Sequence, residues 1–397
     1  MKRYWKIIFV LLFTVVTIGI FYIQLGVSSS KYPQFEFKKI SGDEKEVEDL
    51  IFHIDYTVGD LYYPLQVRNG ITSSYKDLNF FEEVTRDQPG FEHLMKLDKS
   101  FLRRKTLDEN NFYEDKNQVI YTDIKTKNIE NMEFIAEVGT LNKKTKDKTY
   151  FEIDVPEKGM YDWIRVYDVQ YTHGKVKVLT NAYNVDGQEE VIVYTIDLDK
   201  EKIADKQVLL KDKTTSESLS SSIYINNEEY SMEPSKYALI VSQQYEDKNV
   251  EDDKEAELIS TEGKIYHYDT GELTDIKPKE KEATWLESAS IYGSTVFTQK
   301  QTEKELEIYP YNIETDQWGD KIIFNVPHYK DKEEIQSNQP FITLKQGKIY
   351  IINTTDNKYS LYIGDLSTGD SLYEGKILIK AGKKEKKDYE VYFNLIQ

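Results

Sequence analysis

The sequence predicts an all-β domain that follows a single N-terminal transmembrane helix, and three observations predict it. An uncharged run occupies Ile7–Val27. Most of the remaining chain consists of short runs of alternating β-branched and aromatic residues, separated by Gly, Asn and Asp. No long stretch has the 3.6-residue period of an amphipathic helix, and only Phe80–Val84 and Phe91–Leu102 are short helical candidates. We therefore expect β-strands with a few short helices after the apolar run.

The apolar run has the length of a membrane anchor. As a helix, Ile7–Val27 reaches about 30 Å, which is the thickness of the hydrocarbon core of a bilayer. Lys2, Arg3 and Lys6 precede it and are expected to stay in the cytoplasm. The predicted order is a cytoplasmic tail (1–6), a cell-membrane signal anchor (7–27), a polar stalk (28–48) and an extracytoplasmic domain (49–397). A cleaved signal peptide is the alternative and would make the protein secreted, but its apolar region is typically only about 7–15 residues long.

The charge and cysteine content exclude several classes of function. The chain has 397 residues, with 70 acidic and 52 basic side chains and a net charge of -18. This acidic balance argues against a nucleic-acid partner, because binding phosphates requires clustered Lys and Arg. The absence of cysteine excludes disulfides, thiol nucleophiles and Cys-ligated metals.

Internal repeats predict the architecture of the domain. Three segments share one layout of four strands joined by tight turns, which is typical of one blade of a β-propeller. The strands are Trp163–Tyr171, Lys175–Ala182, Glu190–Leu198 and Gln207–Leu210 in the first segment; Trp285–Tyr292, Thr295–Gln299, Leu306–Asn312 and Lys321–Val326 in the second; and Pro340–Leu344, Lys348–Asn353, Tyr359–Asp365 and Lys376–Ile379 in the third.

A short marker recurs at the expected third strand of each repeat: an aromatic residue, any residue, usually Ile or Tyr, then Asp or Asn. It occurs at Phe52–Asp55, Phe151–Asp154, Tyr194–Asp197, Tyr266–Asp269, Tyr309–Asn312 and Tyr362–Asp365. Most intervals fit propeller repeats of about 40–50 residues, and the longer interval after Asp197 contains apparent insertions at Ser216–Ser222 and Glu246–Glu257.

The spacing predicts about seven blades, with a degenerate copy near residue 100. Tyr389–Ile396 is expected to complete the blade begun by Phe35–Asp55 and so to pair the two chain ends. An elongated array of β-sandwiches remains the alternative, since strand patterns alone do not fix ring closure.

The turns after two marker strands carry a resemblance to a known class. With Tyr268-Asp269-Thr270-Gly271 and Asp365-Leu366-Ser367-Thr368-Gly369, the domain resembles bacterial propellers with Asp-x-x-Thr-Gly turns, which include quinoprotein-like and TolB-like repeats. The resemblance covers roughly residues 110–380 and implies the fold only. The tryptophan that closes quinoprotein repeats is matched at most by Trp318, so no cofactor is expected.

No residue pattern predicts a catalytic, cofactor or metal site. The histidines have no metal-ligand spacing, and Gly293-Ser294-Thr295 is a hairpin turn and not a nucleophile elbow. Asn184–Glu190 and Asp197–Asp199 offer oxygen ligands for calcium, but neither has the complete ligand pattern, and both are better explained as turns. The histidines are His53, His93, His173, His267 and His328.

The sequence thus favours a membrane-tethered binding or sensor-accessory protein that presents a propeller face to a protein, peptide or cell-wall ligand. The alternative is an extracytoplasmic hydrolase or lyase that acts on glycans through carboxylates in the propeller funnel.

Overall fold

A computed structural model describes residues 32–59, 61–74, 90–212, 219–226, 232–246, 257–277, 286, 288–302, 305–325, 340–355, 358–380 and 389–396. The chain divides into two compact units, one of residues 1–86, 303–305 and 325–397 and the other of residues 87–302 and 306–324. Strands dominate both units, which confirms the all-β class. In the part of the chain that is described, no helix is long and apolar enough to cross a membrane. The predicted anchor Ile7–Val27 and the helical candidate Phe80–Val84 lie outside the described residues.

The strands and helices have the following bounds. The first unit contains β1 (Gln34–Gly42), α1 (Lys45–Glu48), β2 (Ile51–Val58), β3 (Leu61–Arg68) and β4 (Ile71–Ser74). The second contains α2 (Gly90–Asp98), a 3-10 turn (Glu109–Asn111), β5 (Phe112–Glu114), β6 (Gln118–Asn128), β7 (Glu133–Asn142), β8 (Lys148–Asp154), β9 (Tyr161–Thr172), β10 (Lys175–Asn184), β11 (Glu189–Asp197), β12 (Lys202–Lys211), β13 (Leu219–Asn226), β14 (Tyr237–Glu246), β15 (Glu257–His267), β16 (Leu273–Asp275), β17 (Ser290–Tyr292), β18 (Thr295–Gln301), β19 (Glu305–Asn312), β20 (Gln317–Trp318) and β21 (Ile322–Asn325). The chain then returns to the first unit with β22 (Phe341–Lys345), β23 (Lys348–Thr355), β24 (Lys358–Asp365), β25 (Ser371–Lys380) and β26 (Tyr389–Ile396).

The described strands form six antiparallel sheets, each built mainly from strands that are consecutive along the chain. Sheet 1 has the order β26-β2-β3-β4, sheet 2 β5-β6-β7-β8, sheet 3 β12-β11-β10-β9 and sheet 4 β13-β14-β15-β16. Sheet 5 has the order β17-β18-β19-β20 with β21 beside β19, and sheet 6 the order β1-β25-β24-β23-β22. The layout predicted for the three repeat segments is confirmed in sheets 3, 5 and 6.

Three details of the repeat prediction are wrong. The region near residue 100 holds α2 and not a blade, because Phe91 and Leu94 pack from a helix onto sheet 2 together with Phe101. The marker Phe151–Asp154 lies in the fourth strand of sheet 2, since alternation identifies a strand but not its place in a sheet. Residues 219–222 of the expected insertion belong to β13.

Tyr389–Ile396 pairs with an N-terminal strand, as the sequence predicts, but Phe35–Asp55 does not begin a single blade, because Phe35 lies in sheet 6 and Asp55 in sheet 1. Strand β26 pairs with β2, with Phe52 opposite Ile396, and β1 pairs with β25, with Gln34 opposite Lys380. Residues 34–42 of the predicted stalk therefore form a sheet strand instead, because Phe35 is buried in the core of this unit and Phe37 stacks on Phe52.

In the second unit, other elements cover both faces of sheet 2. One face packs with sheet 3 through apolar residues such as Ile120 and Val176. The other face, which carries Tyr121, is covered by α2 and the segment that follows it. Phe101 in that segment is 1% exposed, and burying such a ring stabilises the fold by roughly 2–3 kcal/mol. The segment Ser100–Lys105 is thereby held against the sheet.

Candidate functional site

A cavity of about 800 Å³ opens where the segment Ser100–Lys105 meets strands β7 and β8. This volume falls in the range of pockets that bind small molecules, about 300–1,000 Å³. We call it the Lys105 pocket; the lining side chains that matter below are Arg103, Arg104, Lys105, Tyr121, Glu137, Tyr150 and Glu152.

One row of sheet 2 forms the seat for Lys105. Tyr121, Gly139 and Tyr150 are opposite one another on three neighbouring strands. The Lys105 ammonium nitrogen lies 4.2 Å from the ring centre of Tyr150, 5.0 Å from that of Tyr121 and 4.5 Å from that of Phe101. A Cβ at Gly139 would approach Lys105 Cε to 3.1 Å. The missing side chain at Gly139 thus leaves the slot in which the lysine lies.

The Lys105 pocket has basic groups without acidic partners. Among the described residues, no carboxylate lies within 4.0 Å of the charged groups of Lys105, Arg103 or Arg104. Two lysines near the pocket do have carboxylate partners: Lys125 pairs with Glu137 at 2.5 Å and Lys148 pairs with Asp98 at 2.6 Å.

The pKa of Lys105 follows from this environment. Burial lowers the pKa to about 8, because a half-buried ammonium loses hydration that the aromatic rings replace only in part. The carboxylate of Glu137 acts in the opposite direction, whereas the charges of Lys125 and Lys148 lower the pKa further. A strongly perturbed lysine in a cavity is a feature of functional sites.

Asp98 holds the segment that carries Lys105. Its Oδ1 accepts hydrogen bonds from the backbone N–H groups of Ser100 at 2.9 Å and Phe101 at 3.1 Å. The hydrogen bond from Lys148 is the main cause that lowers the pKa of Asp98 to about 2; burial opposes it and the bonds from Ser100 and Phe101 reinforce it. At the other end of the segment, Thr106 Oγ1 donates to Asp123 Oδ2 at 2.8 Å. The segment is therefore pinned on both sides of the pocket.

Two carboxylates stand side by side in the pocket wall. Glu137 on β7 is directly opposite Glu152 on β8, and facing residues on antiparallel strands have Cβ atoms about 4.5–5.5 Å apart. Lys125 compensates the charge of Glu137, which leaves the three basic groups dominant in the pocket.

A second cavity lies in the first unit and is acidic. Its volume is about 730 Å³, and its lining includes Asp43, Glu44 and Glu48. Glu36 also lines it and pairs with Lys380 at 2.5 Å.

The histidines named from the sequence lie apart from the Lys105 pocket. His93 pairs with Glu114 at 2.5 Å, His173 occupies a turn with a φ of 50°, and His267 Nε2 lies 3.2 Å from Thr274 Oγ1. His53 lies in β2, and His328 is outside the described residues. Within the described part of the chain, no group of three His, Asp or Glu side chains could hold a metal ion.

The two calcium candidates have local partners for their oxygens. Asn184 Oδ1 accepts from the backbone N–H groups of Asp186 and Gln188, both at 3.0 Å, which is a hairpin turn. Glu190 accepts from Tyr161 at 2.9 Å and pairs with Lys211 at 3.1 Å. Asp197 likewise pairs with Lys175. The same turn chemistry recurs at Asp365, which accepts from the backbone N–H groups of Ser367 and Thr368.

Sequence reasoning singled out none of the residues of the Lys105 pocket. One signal was present, namely the run Arg103-Arg104-Lys105 in an acidic chain. The aromatic seat had no local signal, because Tyr121, Gly139 and Tyr150 meet only through strand pairing.

No protein-family model matches this chain, and no curated protein sequence matches it. Among solved structures, it is similar to the protein lmo1340 of Listeria monocytogenes, with 13% identity, 68% of this chain and 67% of that chain covered, and a TM-score of 0.32. It is also similar to the β-propeller domain of the Trilobed protease of Pyrococcus furiosus, with 10% identity, coverage of 92% and 97%, and a TM-score of 0.32. A third is the α-L-arabinofuranosidase Arb93A of Fusarium graminearum, with 9% identity, coverage of 87% and 97%, and a TM-score of 0.33. Because these TM-scores are below 0.5, the likenesses establish neither a family nor a function.

Proposed function

We propose that this chain is a membrane-tethered, extracytoplasmic binding or sensor-accessory protein, and that the Lys105 pocket holds a small carboxylate-bearing ligand or the acidic end of a peptide or cell-wall component. One observation carries the proposal. Lys105, Arg103 and Arg104 line one cavity and have no carboxylate partner among the described residues. Arg103 and Arg104 are exposed, whereas Lys105 is half-buried, and a half-buried charge is costly unless it is compensated. A bound carboxylate would supply the missing charge, and Arg is suited to bind it with two parallel hydrogen bonds.

The tether and the architecture belong to the same proposal. The run Ile7–Val27 would place the acidic domain outside the cell membrane, with the N-terminus in the cytoplasm. The six sheets would be the blades of a β-propeller, with its ends joined by the pairing of β26 with β2 and of β1 with β25. Recovery of the full-length chain in the soluble fraction of cells would contradict the tether.

The binding proposal is tested by titrating the full-length chain, purified in a nonionic detergent, with oxalate in a calorimeter. We expect saturable binding that the double variant Arg103→Gln/Arg104→Gln weakens at least about tenfold, which is about 1.4 kcal/mol. Arg165→Gln is the matched control, since Arg165 is an exposed arginine outside the pocket. Equal affinity in the double variant and the wild type, or no saturable binding, would contradict the proposal.

A second candidate function is favoured by the pair Glu137 and Glu152. Retaining glycosidases use two carboxyl groups that face each other across the scissile bond, and Glu137 and Glu152 are opposite each other on neighbouring strands of the pocket wall. The chain would then be the glycan-active hydrolase or lyase that the sequence left as an alternative. Turnover of a panel of glycans that Glu152→Gln abolishes would support this candidate, and turnover by neither protein would reject it.

A further inference from the structure

We propose that the Lys105 amine captures its ligand covalently, as a reversible imine with the carbonyl carbon of a small 2-oxo acid or another carbonyl compound that carries a carboxylate. This rests on the proposed function, because Arg103 and Arg104 are the groups that would hold the carboxylate at the pocket while Lys105 attacks.

The surroundings of the amine favour a nucleophile over a structural cation. Phe101, Tyr121 and Tyr150 enclose it, and they offer ring faces but no anionic oxygen. The charged groups that act on it from the adjoining strands are Glu137, Lys125 and Lys148. Of these, Glu137 and Lys125 are engaged with each other, as are Lys148 and Asp98. Desolvation of a lysine in an apolar pocket, together with nearby cationic groups, is a known way to activate an amine.

The Lys105 pocket also has room for the reaction. The absent side chain at Gly139 lets the stem of Lys105 lie along the sheet, with its Cε 3.1 Å from where a Cβ would be. The cavity of about 800 Å³ is lined by Lys105 and by both arginines.

The step needs no oxidant or reductant. The Nζ lone pair attacks the carbonyl carbon, the C=O π bond breaks, and a proton passes from nitrogen to oxygen to give a carbinolamine. Loss of that hydroxyl as water then forms the C=N bond, so one amine and one carbonyl yield one imine and one water. Hydrolysis reverses the step and releases the ligand.

The fraction of reactive amine is large enough to distinguish this lysine. At pH 7.5, an amine of pKa about 8 is uncharged in about a quarter of the molecules, against about one in a thousand for an ordinary lysine. The weaker base is also a weaker nucleophile, so we expect Lys105 to react on the order of ten times faster than exposed lysines.

The experiment traps the imine in the full-length chain with glyoxylate and cyanoborohydride, and locates the carboxymethyl adducts by peptide mass spectrometry. We expect Lys105 to be modified about ten times faster than any exposed lysine, with a half-maximal rate near pH 8. The double variant Arg103→Gln/Arg104→Gln should lose this preference for glyoxylate, and its rate with neutral glycolaldehyde should stay the same. Lys105→Arg should remove the fast adduct, because a guanidinium group does not form the imine.

The outcomes separate the two proposals. If Lys105 reacts no faster than exposed lysines although oxalate binds, the covalent proposal is wrong and the binding proposal stands. If oxalate does not bind and Lys105 is not modified preferentially, both are wrong. If Lys105 is modified rapidly with glyoxylate and glycolaldehyde alike, the amine is reactive but the role of the arginines is contradicted.

Discussion

Two half-buried lysines of the same unit, Lys105 and Lys206, are in similar surroundings and have opposite properties. Each lies over a tyrosine ring, Lys105 at 4.2 Å from the ring centre of Tyr150 and Lys206 at 5.2 Å from that of Tyr161. For both lysines, burial by itself acts to lower the pKa. For Lys206, however, the contact with the Glu157 carboxylate at 2.7 Å and the hydrogen bond to the Tyr161 hydroxyl at 3.0 Å outweigh burial, and its pKa is raised.

The difference teaches that aromatic burial alone does not decide the role of a lysine. A carboxylate with good geometry makes the buried cation part of the structure, and a cavity in place of that carboxylate leaves the amine available to a ligand. The Glu157 carboxylate lies beside the Lys206 ammonium, whereas a cavity lies beside Lys105.

The largest expected effect is on stability, and it distinguishes the two lysines directly. Lys206→Met should lower the free energy of unfolding by about 1.5–3 kcal/mol, because it leaves Glu157 without its cationic partner and removes the hydrogen bond that Lys206 donates to the Tyr161 hydroxyl. Lys105→Met should leave it unchanged or raise it, since methionine packs well among aromatic rings. Urea denaturation of both variants at pH 7 measures this, and a loss at Lys105 as large as at Lys206 would contradict the comparison.

The second prediction is that removing the carboxylate of Glu157 gives Lys206 the properties of Lys105. Glu157→Gln should lower the pKa of Lys206, because burial then acts with less opposition, and should cost about 1 kcal/mol of stability. Reductive labelling with glyoxylate should then modify Lys206 several times faster than in the wild type. Glu152→Gln, in the wall of the Lys105 pocket, is the control that should leave Lys206 labelling unchanged.

A pH titration of stability gives a third effect with a defined sign. The folded-state pKa of Lys105, about 8, is below the unfolded value of about 10.5. Between these values the unfolded chain binds more protons, so the wild type should gain stability relative to Lys105→Met as the pH rises from about 8 to 10.5. Thermal unfolding of the two proteins across this range checks the sign, and a constant difference would show that Lys105 titrates normally.

The smallest expected effect is at Gly139. Gly139→Ala introduces a methyl group 3.1 Å from Lys105 Cε, which should displace the lysine by a few tenths of an ångström. Stability should change by less than about 1 kcal/mol, because a strand favours alanine over glycine by a similar amount. Oxalate affinity and glyoxylate labelling should nevertheless fall severalfold, and unchanged values would mean that the slot does not position the amine.

The sequence and the structure agree most where a run of β-branched and aromatic residues is bounded by a turn signal. Strands such as β11 and β24 are predicted almost to the residue, since the turn before β11 contains Gly187 and the turn after β24 contains Gly369, both with positive φ. The pairing of Tyr389–Ile396 with the N-terminal region also follows from counting strands. The helix α2 (Gly90–Asp98) agrees with the helical candidate Phe91–Leu102. The rank of Phe151–Asp154 in its sheet was missed, because strand order has no periodic signature, and the same holds for the packing of Phe91 and Phe101 onto sheet 2.

The candidate site could not be predicted from the sequence, for a related reason. Its chemistry depends on which carboxylates reach which lysines across strands, as Glu137 reaches Lys125 and Asp98 reaches Lys148. Those contacts are set by strand register, and the charges along the chain do not encode them individually. The run Arg103-Arg104-Lys105 indicates basic character but not the missing partner.

The pKa values of Lys105 and Lys206 test the difference between the two lysines most directly. Both can be followed in the full-length chain by NMR of 13C-labelled lysine, with Lys105→Arg and Lys206→Arg to assign the signals. We expect Lys105 to titrate near pH 8 and Lys206 to titrate at a higher pH than the exposed lysines. Titration of Lys105 together with the exposed lysines, near pH 10.5, would contradict the claim that it is an unpaired, desolvated amine.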